Sequence, residues 1–277
     1  MPAPTMMVRL SPGKSNDRIL RLAVDVAGRL GAAKAIGIAA CQPLQYFLGP
    51  DAYVPQHLID QDSEQIAKEL KSAERGFRAA FEGKNITLDW RSIVTLEPLA
   101  RYVARQMRAA DLLITESSKA DLFDNQRHIA VADVVMAAGR PVLIAGEKVD
   151  RLDLRQAMVA WKDTREARHA IVAALPLLSL AKNVTLVEVT RKDELGQATS
   201  RLEDVASWLK MHNIAATPRA IAAQGDDSTR LETFAKDIDA GLVVAGAYGH
   251  NRLSEWALGG VTRDFLLRPA GCVLVCH

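Results

Sequence analysis

The sequence predicts an α/β protein: two tandem, doubly wound parallel-sheet domains in one chain, arranged as a pseudo-dimer. Three observations predict it. Short, nearly continuous apolar runs rich in β-branched residues alternate with amphipathic segments, as buried parallel strands and their crossover helices do. The pattern then repeats. Ala110-Asp-Leu-Leu-Ile-Thr115 parallels Ala240-Gly-Leu-Val-Val-Ala245, and Gly139-Arg-Pro-Val-Leu-Ile144 parallels Gly271-Cys-Val-Leu-Val275. Both halves also open alike, with Met7-Val-Arg-Leu10 matching Met158-Val-Ala-Trp161, each ahead of a long amphipathic segment.

The first half reads as strands over 5–10, 34–40, 86–93, 110–115 and 141–145, with helices over 16–30, 63–82, 97–108 and 127–138. Ile66, Leu70, Ala73 and Phe77 show the three-and-four spacing of a helix with one buried face. The second half reads as strands over 156–161, 183–189, 215–221, 240–245 and 271–276, with helices over 165–181, 197–211, 227–238 and 260–268. Right-handed crossovers between parallel strands make each half doubly wound. The repeats set domain bounds of 1–148 and 154–277, joined by the charged connector Gly146 to Arg155. Residues 42–62 have no counterpart in the second half. Tyr46, Phe47, Leu48 and Tyr53 among three prolines read as an irregular loop, either packed on the surface or serving as a lid or partner patch. The runs 141–145 and 272–276 are apolar edge candidates, able to pair within the chain or with a second chain.

Composition excludes several classes. The 277 residues are 49% hydrophobic and 25% charged, with a formal net charge of +2. Lys plus Arg against Asp plus Glu stands at 19 to 17 in residues 1–148 and 16 to 16 in 149–277, so neither half has the excess of a nucleic-acid binder. The longest lipid-like stretch, Ala170 to Ala181, is 12 residues and contains Pro176, too short to span a bilayer. The amino terminus lacks a basic region followed by an apolar core. Three cysteines, at 41, 272 and 276, read as free thiols of a cytoplasmic protein. Cys272 and Cys276 on one strand face stand roughly 13 Å apart, too far to share a metal ion. No metal site is expected. No G-x-S-x-G elbow, G-x4-G-K-[ST] loop, H-x-G-H or S-G-G-x-D-S signature occurs.

The most informative segment runs from Val243 to Thr262. An apolar run ends in Gly246; Gly249 follows, then Gly259 and Gly260 ahead of Val261, Thr262 and a helical segment. Strand, glycine loop and helix start place free backbone N–H groups beside a positive helix end, which suits a phosphate chain. The spacing G-x2-G-x9-G resembles the nucleotide loop of the universal stress protein family. Met158 to Ala167 looks like that family's first strand and helix start, Val184 to Val189 like its second strand, and Gly271 to Val275 like its closing strand. The resemblance covers essentially residues 154–277.

It implies a universal stress protein-like, adenine-nucleotide alpha hydrolase-like fold, with ATP bound in the C-terminal domain only. Phosphates would lie against Gly246, Gly249, Gly259, Gly260, Val261 and Thr262, and the base beside the backbone of Val189. Asp163 and Thr164 would lie on the ribose side. Both, like Thr262, could equally be helix caps. His250 and Arg252 could close over the phosphates or be solvated. Two positions depart from the pattern. Lys162 stands where many relatives carry aspartate, and Gly260 where nucleotide binders show Ser or Thr. A missing charge-assisted hydrogen bond is worth about 1.5–3 kcal/mol, or tenfold and more in affinity. The first half reads Thr115-Glu-Ser-Ser-Lys-Ala-Asp-Leu-Phe-Asp in the loop's place, without glycine, so its nucleotide site reads as degenerate. The expected function is a cytoplasmic stress-response protein that binds ATP and acts through binding, as a monomeric pseudo-dimer or a homodimer. The alternatives are a nucleotide-free interaction protein of the same fold and a slow ATP hydrolase.

Overall fold

A computed structural model describes residues 3–48, 53–117, 129–247 and 270–277. The chain separates into two units, Met1–Arg140 and Pro141–His277. In the first, β1 (Thr5–Arg9), β2 (Lys34–Cys41), β3 (Thr87–Val94) and β4 (Leu112–Glu116) form a parallel sheet in the order β3-β2-β1-β4. Helices α1 (Asp17–Leu30), α2 (Gln45–Leu48), α3 (Gln56–Ala80), α4 (Leu99–Gln106) and α5 (Val131–Ala138) connect or follow them.

The second unit adds β5 (Val142–Ala145), β6 (Gln156–Ala160), α6 (Arg165–Leu178), β7 (Asn183–Thr190), α7 (Leu195–Met211), β8 (Ala216–Ala222), α8 (Asp227–Asp237), β9 (Leu242–Gly246) and β10 (Cys272–Cys276). Strands β10-β9-β6-β7-β8 are parallel in that order. β5 joins them through β10 and is antiparallel to it, Val142 opposite Val275 and Ala145 opposite Cys272. The two apolar edge candidates therefore pair with each other, and the run counted with the first half by its repeat is hydrogen-bonded in the second unit's sheet.

The strands form where apolar runs predict them because both faces are covered: Met6, Met7 and Val8 of β1, and Leu242 and Val244 of β9, are essentially inaccessible. Helix α1 buries Ile19, Leu22, Ala23 and Val26 on one stripe and ends at Gly31 in the left-handed conformation, where glycine costs no Cβ strain. Gly37 of β2 has a packing reason instead. A Cβ there would lie 2.7 Å from the Trp90 ring and 2.9 Å from Phe77, so glycine lets that aromatic pair pack closely over β2.

Three expectations are corrected. Helix α3 starts at Gln56 and a short helix spans Gln45–Leu48, so much of 42–62 is helical rather than irregular. The first turns of α3 are largely exposed, and Leu58 and Ile59 alone among polar residues are too few to show an apolar periodicity. Helix α5 starts at Val131, with Ile129 and Ala130 ahead of it and non-helical. Helix α6 stops at Leu178, capped by Ser179, rather than running to 181. The segment expected as a helix over 260–268 lies outside the described residues. No helix among the described residues is long and apolar enough to cross a membrane.

Candidate functional site

In the second unit the chain leaves β6 for β7 on one side and later returns to β9 on the other. The carboxyl ends of β6 and β9 therefore flank the point where strand order reverses, where a doubly wound sheet opens a crevice. Three strand ends and one helix start shape it.

The end of β7 supplies open backbone. The β6–β7 ladder runs to Ala160 opposite Val187, and the Trp161 N–H still donates to the Val187 carbonyl at 2.7 Å. β7 continues to Thr190, paired on its far side with Ala222 of β8, and Thr190 accepts from the Ala223 N–H at 2.7 Å. A strand residue's N–H and C=O leave by the same edge, and the edge alternates along the chain. Those of Val187 face β6, those of Glu188 and Thr190 face β8, and those of Val189 again face the β6 side. No backbone rung follows there among the described residues. Val189 thus presents one donor and one acceptor toward the crevice, its own side chain buried.

At the end of β6, the Trp161 indole is buried and its Nε1 has no partner among the described residues. Such a donor costs about 1–3 kcal/mol when left without an acceptor. Lys162 reaches Asp227 at the start of α8, at 3.7 Å. Asp163 is exposed and ion-paired with Arg168 at 2.6 Å. Thr164 caps α6: its hydroxyl accepts from the Ala167 N–H at 3.3 Å.

The positive end of α6 is already supplied with a negative charge. The Glu166 carboxyl accepts from its own backbone N–H, which holds it below the usual carboxylate range against the opposing effect of burial. Arg165 at 3.1 Å and the Thr164 hydroxyl contribute in the same direction. Gly246, the last residue of β9, is what lets this helix approach. A Cβ on it would stand 2.5 Å from Ala167 N and 2.6 Å from Glu166 C, so any side chain would collide with the first turn. Next to it Ala247 donates to the Cys276 carbonyl at 2.8 Å, and its own carbonyl is 3.1 Å from His277 Nδ1.

Behind this rim lies a charge pair that sequence reasoning missed. Glu188 of β7 is 3% exposed and holds Arg201 of α7 at 2.6 Å. The signal was a lone carboxylate within the apolar run Val184 to Thr190, thirteen residues before an arginine. Of the residues singled out from sequence, Asp163, Thr164, Val189 and Gly246 stand around the crevice. Gly249, His250, Arg252, Gly259, Gly260, Val261 and Thr262 lie outside the described residues.

The first unit keeps the strand frame and changes the contents. Leu10 N–H donates to Ile38 at 2.9 Å as Trp161 does to Val187, and Thr95 N–H donates to Cys41 at 3.0 Å as Ala223 does to Thr190. Register therefore equates Arg9 with Ala160, Thr115 with Ala245 and Glu116 with Gly246. Arg9 is buried, its Nε donating to Thr115 Oγ1 at 2.6 Å and its NH2 group reaching the Glu116 carbonyl at 3.4 Å. Burial pushes the Arg9 guanidinium down to about 10, and the Glu116 charge pulls it back up. Arg18 of α1 holds the Glu116 carboxylate at 2.8 Å.

No family model matches the sequence, and no curated protein does. Among solved structures, a universal stress protein from Archaeoglobus fulgidus DSM 4304 superposes with a TM-score of 0.72 at 16% identity, covering 98% of this chain and 95% of that one. A candidate universal stress protein from Pseudomonas aeruginosa UCBPP-PA14 gives 0.62 at 15% identity, covering 99% and 93%. A functionally unknown protein from Pseudomonas aeruginosa PAO1 gives 0.60 at 15% identity, covering 99% and 92%. The chain is thus a mostly parallel, helix-covered α/β protein. Along its whole length it has the fold of the universal stress proteins.

Proposed function

We propose that the chain is a universal stress protein of the cytoplasm that binds an adenine nucleotide, ATP, at the second unit's crevice and works by binding rather than by fast turnover. The open backbone of Val189 carries this reading. The Watson–Crick edge of adenine offers an amino donor and a ring acceptor side by side, the complement of one residue's C=O and N–H on a strand edge. Guanine presents the opposite order. Small residues at Ala160 and Ala245 leave room beside that edge. The glycine-rich segment that starts at Gly246 follows directly, where Gly249, Gly259, Gly260, Val261 and Thr262 would meet the phosphates, with His250 and Arg252 closing over them. Asp163 and Thr164 would sit toward the ribose. Pairing of β5 with β10 inside the chain favours the monomer over the homodimer.

Calorimetric titration of the purified chain tests the reading. ATP should bind with a Kd below about 1 mM and at least tenfold more tightly than GTP, and Gly249→Asp should weaken it. No heat at millimolar ATP with folded protein, or equal affinity for GTP, sinks it.

A second reading, a nucleotide-free interaction protein, is favoured by one observation: the α6 amino end already holds Glu166, and Lys162 is paired with Asp227. Absence of ultraviolet-absorbing nucleotide in an acid extract of the freshly purified protein, together with a silent titration, would select it.

A further inference from the structure

In the first unit the chain leaves β1 for β2 on one side and returns to β4 on the other. Arg9, the last residue of β1, therefore stands where strand order reverses. Register sets Arg9 beside Thr115, one step beyond Val8 and Ile114, and strand alternation turns the Glu116 side chain to the opposite face. There Arg18 of α1 holds the Glu116 carboxylate at 2.8 Å. Arg9 is left with neutral partners. They are the Thr115 hydroxyl and the Glu116 main-chain carbonyl, the latter at 3.4 Å, longer than a good hydrogen bond. Arg9 makes no ion pair and no further hydrogen bond among the described residues.

A guanidinium carries five N–H donors, and Arg9 uses two, one from Nε and one from Nη2. Its Nη1 has no acceptor. Yet the fully buried side-chain nitrogens without a partner among the described residues are Arg18 Nε, Trp161 Nε1 and Arg230 Nε. Nη1 therefore lies on the 7% of Arg9 that stays accessible. Even lowered to about 10, the group is charged at neutral pH. A buried cation without a counter-charge is costly, and an oxyanion meeting its free edge with two parallel bonds relieves that cost. Two features limit the anion. Arg9 and Thr115 fill space that Ala160 and Ala245 leave open in the second unit, so the ligand is smaller than a nucleotide. The Glu116 charge also reaches Arg9 through space, which disfavours a dianion. Ile38, level with Arg9 on β2, and Ala40 beyond it on the same face are apolar. We propose that the first unit's crevice binds a small monocarboxylate with a short apolar chain. The carboxylate sits on the Nη1–Nη2 edge of Arg9, and the chain points toward Ile38 and Ala40. The site is independent of the nucleotide crevice.

Isotopic labelling of the arginine nitrogens in the full chain tests this, because each Nε–H resonance reports its own guanidinium's contacts. Propionate should shift the Arg9 Nε resonance saturably, with a Kd of about 1–10 mM. Propionamide has the same shape without the charge and should leave it in place. Inorganic phosphate should bind at least threefold more weakly than propionate. Arg9→Lys keeps a cation and loses the fork; it identifies the resonance by removing it. In that variant, folded by its amide spectrum, the backbone amides of Thr115 and Glu116 should report propionate affinity lowered at least fivefold. Gly249→Asp should leave propionate affinity intact, which separates this site from the nucleotide crevice. Three results overturn the proposal: no saturable shift up to about 100 mM propionate, an equal response to propionamide, or unchanged affinity in folded Arg9→Lys. Phosphate binding more tightly than propionate would overturn the choice of a carboxylate.

Discussion

The two crevices share a backbone and differ in what fills it. In the first unit Arg9, Thr115 and Glu116 occupy the strand ends; in the second, Ala160, Ala245 and Gly246 do. One strand over the contrast reverses, Ala39 standing in the first unit where Glu188 stands in the second. A parallel sheet with the same register can thus bury a cation at its central strand end or leave that end small, because ladder bonds fix the strands whatever their last side chains are. The difference teaches that a strand-end crevice can be filled from within while the strand frame stays intact. The first unit fills its strand ends with an internal network, in which Arg9 and Arg18 share the field of Glu116.

The strongest way to break the comparison is to copy the first unit into the second. Gly246→Glu places a side chain where even a Cβ would lie 2.5 Å from the Ala167 backbone. The expected loss is about 4 kcal/mol or more, since helix backbone cannot retreat as a flexible side chain can. Three buried thiols report where the damage falls, Cys41 in the first unit and Cys272 and Cys276 in the second. Burial pushes the Cys276 thiol up and so suppresses its reactivity in the folded state. Mass-spectrometric labelling of Gly246→Glu should modify Cys272 and Cys276 first and leave Cys41 protected. Equal labelling of all three would show that the units do not open separately.

The reverse experiment removes the first unit's own contents. Arg9→Ala leaves the Thr115 hydroxyl without its donor and Glu116 with Arg18 alone. Breaking one side of a buried charge network costs about 3 kcal/mol, measurable by denaturant unfolding, with Cys41 now the first thiol labelled. The double variant Arg9→Ala/Glu116→Gln should be less stable still, because Arg18 holds the Glu116 carboxylate while Arg9 meets only the Glu116 backbone carbonyl. A double variant more stable than Arg9→Ala alone would mean that Arg9, not Arg18, is the main partner of the Glu116 charge.

Much of this was legible in sequence, and the limits have physical causes. Buried parallel strands announce themselves as apolar runs, so β1, β2, β6, β7 and β9 lie within about two residues of the expected bounds. The partner of β5 was not legible, because an apolar strand carries no label for which edge it will join. The first turns of α3 were hidden by their exposure. At the site, the expected places of Thr164 and Val189 came from matching strand ends to a known pattern. The strict necessity of Gly246 did not: it reflects the approach of α6, a contact across eighty residues of chain. Glu188 and Arg9 were visible as charges inside apolar runs, but a run cannot say whether its odd charge is buried with a partner or turned to water.

The smallest expected effect compares how the two units start the helix after their first strand. Helix α6 is capped by Thr164 and closed by Glu166, whereas Asn16 ahead of α1 makes no capping bond. Instead Asn16 braces the preceding loop, accepting from Ser11 N–H at 2.8 Å and donating to the Ser11 and Lys14 carbonyls. Because the folded Glu166 carboxyl lies below its ordinary value, its contribution is fully present above the unfolded glutamate value near 4.3 and fades as pH falls through the lower, folded one. Glu166→Gln should therefore cost about 0.5–1 kcal/mol at pH 7 and almost nothing at pH 3, flattening the acid limb of a stability-against-pH curve. An equal cost at both pH values would assign the effect to packing of the Glu166 side chain rather than to its charge. If ATP binding places phosphate near the same amides, removing this carboxylate charge should also tighten ATP at pH 7, which would connect the helix cap to the crevice that the first unit has filled.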